Sequence, residues 1–109
     1  MPLVAEMLLE SGKLYAEQRD GNAAGRLLED AVWTAELCRH DEVSAEAASI
    51  LVFIAGDTQS RFDVAEIWSR FAETMLKRMG GHDSLWGWLF NNRGAMRSKQ
   101  GRIAEALDD

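Results

Sequence analysis

Asn92 to Ala106 reads N-R-G-A-M-R-S-K-Q-G-R-I-A-E-A. A helical half carries Gly94 on its packed face, a short Q-G-R turn follows, and a new helix opens with a small residue. The same pattern occurs twice upstream. Gly12, Phe53 and Gly94 stand 41 residues apart, as do Ala24, Ala65 and Ala106, and Gln18, Gln59 and Gln100. Ala31 and Ala72 keep the step, and His40-Asp41 recurs as His82-Asp83 after 42 residues. A fixed period of this size marks stacked supersecondary units. The expected organisation is one domain, 1–109, built from repeat 1 (1–41), repeat 2 (42–82) and a partial repeat 3 (83–109).

Helical amphipathicity runs through each unit. Leu3, Met7, Leu8, Leu14 and Tyr15 form the first apolar face, and R-D-G-N at Arg19–Asn22 reads as a turn. A second helix is expected from about Ala23 to Arg39. The third opens near Val43 and gives out around Gly56-Asp57. The fourth runs from near Arg61 to Met79, stopped by Gly80-Gly81. A fifth, capped by Asp83 or Ser84, is expected to end at Gln100-Gly101, and a short sixth to begin at Arg102. A lone hairpin cannot bury both its apolar faces, whereas stacked neighbours can. The expected fold is therefore all-α, a right-handed α-solenoid of about six helices paired as antiparallel hairpins. Small residues at Gly12, Gly94, Ala24, Ala65 and Ala106 are expected where helices cross closely, with wider packing where Phe53 replaces Gly.

Composition narrows the function. The net charge is −6 and no basic stripe is present, which disfavours nucleic-acid binding. No apolar run approaches the roughly 20 residues of a bilayer span. The N-terminus carries Glu6 and Glu10 and no basic n-region, so the expectation is a cytoplasmic protein with no membrane attachment. The single Cys38 reads as a small apolar filler. His40-Asp41 and His82-Asp83 fall at hairpin ends one repeat apart, short of the three or four convergent ligands a metal needs. No nucleophile, base and orienting group can be assembled, and no Gly-rich phosphate loop occurs. The expectation is no enzyme, no catalytic residue, no metal and no cofactor.

The motif resembles the tetratricopeptide repeat (TPR), a helix-turn-helix unit with small residues at its helix crossing. Gly12, Tyr15, Ala24, Leu28 and Ala31 match that pattern in unit one. Phe90, Gly94, Ala106 and the run Q-G-R-I-A-E-A-L match in unit three, while unit two matches only through Ala65 and Ala72. Arg93 and Arg97 stand where the family has Leu and Tyr, and Ser49 where it has Trp. The 41-residue period is similar to the long-helix variety of kinesin light chain. The run L-V-F-I-A-G-D-T-Q-S-R-F-D-V-A-E-I-W, with M-G-G and L-F-N-N-R-G after it, is also similar to repeat tails of bacterial, myxobacterial-type serine/threonine kinases. No kinase motif is present.

The resemblance implies a protein–protein interaction module whose first helices line a concave groove for a peptide or protein segment. Its groove positions fall on Glu6, Leu9 and Lys13, on Ala47, Ile50 and Ile54, and on Trp88, Asn91 and Ala95. Ile50 and Ile54 would form the floor and Trp88 the aromatic anchor. Asn92 falls where the family often holds a peptide backbone with an amide that both donates and accepts. Trp33 and Trp68, on second helices, are expected in the core. Because the sixth helix is short, the side of helix five around Trp86, Leu89 and Phe90 is expected to be undercovered and to pair in a homodimer. The competing expectation is a ligand- or signal-peptide-sensing domain of a larger bacterial regulator, which would need an enclosed apolar cavity.

Overall fold

The computed structural model describes residues 2–108, and these form five α-helices with no strand. They are α1 (Pro2–Glu17), α2 (Gly21–Leu37), α3 (Asp41–Phe53), α4 (Phe62–Met79) and α5 (Asp83–Asp108), with a π-helical turn at Ile54–Thr58 following α3. Each helix packs on the next, and α3 also contacts α1 and α5. The molecule is elongated, 50 × 29 × 19 Å.

The connections repeat one solution. Arg19, Arg39 and Ser60 adopt left-handed backbone with φ of 62°, 57° and 55°. After each, an N–H reaches back to close the helix end: Asp20 to the Tyr15 carbonyl (2.9 Å), His40 to Ala35 (2.8 Å) and Arg61 to Ala55 (2.6 Å). α4 stops with Gly80 at φ 69°. Arg19 and Ser60 stand 41 residues apart, as do Arg39 and Gly80, so the backbone keeps the period seen in the sequence. At the start of α2, Asp20 Oδ1 accepts from the Ala23 N–H at 3.1 Å, satisfying an otherwise orphaned donor. Lys77 and Arg78 close α4 favourably against its dipole, and Arg78 also reaches Asp41 at 2.9 Å.

α3 occupies the centre. Val43, Ser44, Ala45, Ala47, Ala48, Ser49, Leu51 and Val52 are all buried, the all-round burial of an interior helix. The core is rich in alanine, with Ala24, Ala31, Ala35, Ala65 and Ala72 fully buried beside Leu28, Leu76, Leu89 and Met96. Small side chains let the backbones approach. A Cβ at Gly12 would come within 2.8 Å of Leu28.

Three expectations are corrected here. The sixth helix does not form: α5 continues unbroken through Gly101 to Asp108. Gly94 and Ala106 are therefore not at a helix crossing; both are exposed, and a Cβ at Gly94 would meet nothing within 4 Å. Phe53 does not widen the packing, because its side chain is exposed rather than inserted between helices. The closest approach in the second unit is instead made by Gly56 in the π turn, against Met96 and Ala65.

Arg93 and Arg97, polar where the repeat pattern is apolar, tie α5 to α4. Arg93 donates from Nε to Ser69 Oγ at 2.7 Å, lies 3.6 Å from Glu73 and sits over the Phe90 ring. Arg97 reaches Glu66 at 3.3 Å. Lys99 donates to the Asp57 carbonyl at the π turn.

Candidate functional site

α1, α3 and α5 each give one face to an open cavity of about 330 Å³. Lys13, Ala16 and Glu17 come from α1, Ile50 and Phe53 from α3, and Trp88, Asn91 and Asn92 from α5. A neighbouring cavity of about 470 Å³ shares Ala16, Glu17 and Phe53 and adds Arg19, Gly21, Asp57 and Thr58. The two adjoin across these shared residues, and the second reaches the first interhelical turn.

The apolar wall is Ile50, Phe53 and Trp88. Trp88 keeps 42% of its surface exposed, and Lys13 Nζ lies 5.6 Å from its ring centroid, within cation–π range. Lys13 is itself held, with Nζ 2.9 Å from Glu46 and 3.4 Å from Glu10. Its pKa is raised, chiefly by the hydrogen bond to Glu46 and against the opposing effect of burial. A raised lysine pKa adds stability at neutral pH that fades only as pH climbs through the folded-state value.

Asn92 is tied to the helix beside it. Its Nδ2 donates to the Ser49 carbonyl of α3 at 2.8 Å, leaving the amide oxygen as the group that can serve the cavity. Ser49 Oγ in turn donates to the Ala45 carbonyl at 2.9 Å. The amide expected to hold a peptide backbone therefore holds α3, and Asn91, exposed on the rim, is the amide with both functions open.

Five of the expected groove residues, Lys13, Ile50, Trp88, Asn91 and Asn92, come together in this cavity. Leu9 and Ile54 do not: both are buried in the core, as is Ala47. Ile54 instead lines a separate hollow of about 180 Å³ between α2 and α4. Phe53 and Ile54 stand three and four residues after Ile50, on either side of it on the helix surface; Phe53 is on the side that faces the groove and Ile54 on the side that enters the core. The interruption of the Gly12–Gly94 series by Phe53 was the available sign. Glu6 of α1 does not line the cavity; its carboxylate meets His40 Nε2 at 2.9 Å. His82 faces Glu42 in the same manner at 3.9 Å.

Of the residues expected to pair copies, Leu89 is fully buried and unavailable. Phe90 is 55% exposed and stacks on half-buried Trp86 at 5.6 Å. Trp33 is corrected from core to surface: it is 53% exposed and forms an aromatic cluster with buried Trp68 and with Phe71. Among the described residues, no helix is long and apolar enough to cross a membrane.

Compared with family models, curated proteins and solved structures, the chain matches none.

Proposed function

We propose that this chain is a protein–protein interaction module of the TPR type, a right-handed solenoid of long helical hairpins that takes a peptide or protein segment in the α1–α3–α5 groove. The observation that carries the reading is convergence. Lys13, Ile50, Trp88, Asn91 and Asn92 lie far apart in sequence and line one cavity with an apolar wall and amide groups on its edge. Recognition sites commonly combine an apolar lining with a few placed polar groups. The cavity is open along its length, which suits an extended segment better than the enclosed pocket a small-molecule sensor would need.

The double variant Trp88→Ala plus Asn91→Ala tests the groove. Asn92 is left intact because its bond to Ser49 ties α5 to α3. Peptides selected from a random displayed library against the wild-type chain are expected to bind the variant at least about tenfold more weakly, the effect of a lost aromatic anchor. Selected peptides that bind both proteins equally, with unchanged thermal melting, would remove the groove from the account.

Self-association is a second reading with its own observation. The stripe of α5 that packs inward as Leu85, Leu89 and Met96 continues at helical spacing as Ile103 and Leu107. Leu107 is 81% exposed, and Phe90 is uncovered on another face. Light scattering should find a dimer that Leu107→Asp plus Phe90→Asp converts to monomer. A wild-type chain that is monomeric at high concentration defeats this reading.

A further inference from the structure

Charge along the groove says more about the partner than shape does. Lys13, the one ammonium in the wall of the first cavity, is engaged by Glu46 and Glu10. Glu17 lies exposed on the same wall, with no ion-pair partner among the described residues. Lys13 is thus matched by two glutamates, and Glu17 is left as the unpaired charge among the described residues of the wall that holds Trp88. Further along the groove Asp57 accompanies Arg19. Toward the opposite end, Glu6 and Glu42 continue the acidic stripes of α1 and α3, each facing a histidine. An anionic partner would have to compete with two glutamates for Lys13 and approach Glu17 at close range. A cationic partner finds Lys13 already held by carboxylates, Arg19 beside Asp57 and Glu17 open, and the chain's net charge of −6 favours its approach.

We infer that the groove is built for a basic protein segment, with a bulky apolar side chain seated among Ile50, Phe53 and Trp88 and an adjacent Lys or Arg paired with Glu17. This rests on the groove reading above and specifies its partner class. The apolar contact supplies most of the affinity, since a rim charge pair contributes only about 1.4- to fivefold. The charges set orientation and exclude acidic segments.

Three labelled synthetic peptides of equal length test it: one alternating Lys with Leu, one alternating Glu with Leu, and one alternating Lys with Ser. Fluorescence anisotropy at low salt should show binding of the Lys/Leu peptide alone, weakened about tenfold or more by Trp88→Ala. Glu17→Lys should weaken the Lys/Leu peptide by about three- to tenfold, and added salt should erase that difference. Equal binding of the Lys/Leu and Glu/Leu peptides, both dependent on Trp88, would keep the groove and overturn the charge preference. So would indifference to Glu17→Lys. Lys/Leu and Lys/Ser peptides binding alike, untouched by Trp88→Ala, would mean diffuse attraction to an acidic surface and would overturn the inference and the groove together.

Discussion

Leu28→Ala should lower the free energy of unfolding by about 2–5 kcal/mol, the range for truncating a buried leucine. Leu28 has no exposed surface, and its Cγ and Cδ2 lie where a Cβ on Gly12 would come within 2.8 Å. The cost of such a cavity depends on how far its lining can collapse. Here the lining on the α1 side includes Gly12, which has no side chain to move into the space. The upper half of the range is therefore expected. Against a total stability of about 5–15 kcal/mol for a domain, the loss is large. Urea denaturation should show a lower midpoint with an unchanged slope. A loss below about 1 kcal/mol would mean that α1 does not seat on α2 at this crossing.

The second large effect is expected at the π turn. A Cβ added at Gly56 would lie 2.1 Å from Met96 Cγ, 2.6 Å from Met96 Cβ and 3.2 Å from Ala65 Cβ. A rotamer change can carry the Met96 Cγ away but not its Cβ, which is fixed to the backbone, so α5 itself must move. Yet α5 is pinned on both sides of Met96, by Asn92 on Ser49 and by Lys99 on Asp57. Gly56→Ala should therefore cost about 1–3 kcal/mol, as overpacking does. Met96→Ala should cost about 2–5 kcal/mol by opening a cavity. The pair should cost less than the sum, by about 1 kcal/mol, because neighbours in contact couple. The relief is only partial, since the Met96 Cβ remains. Strict additivity in the denaturation midpoints would show that Gly56 and Met96 do not touch.

Much of this contact map was legible before the structure. The step of 41 placed Gly12, Ala24 and Ala65 where small size matters, and all three are buried. It failed at Gly94 and Ala106 for a physical reason. In the first two units a strained turn at Arg19 or Ser60 is offset by a long second helix that packs back. At Gly101 the chain makes no such turn, and continuing α5 keeps the backbone bonds intact. Helical spacing put Ile50 and Ile54 on one face of α3, but Phe53 is equally one turn from Ile50 on its other side, and only the packing around α3 decides which of the two faces the cavity. Arg93 and Arg97 had no reading from sequence because their partners, Ser69, Glu73 and Glu66, are brought near only by the packing of α4 on α5. Asn92 lines the cavity, but its bond to the Ser49 carbonyl could not be seen from its position in the sequence.

Gly101 stands one period after Ser60, at the position where Arg19 and Ser60 turn left-handed. For those two residues the conformation costs about 1–2 kcal/mol each; for glycine it costs almost nothing. The residue best suited to that turn is thus the one that lies straight. Its geometry is decided by neighbours rather than by itself: supplied with a following helix able to cover the bare face at Gly94, the same backbone could bend at no local penalty. Gly101 is in that sense a latent joint within an unbroken helix.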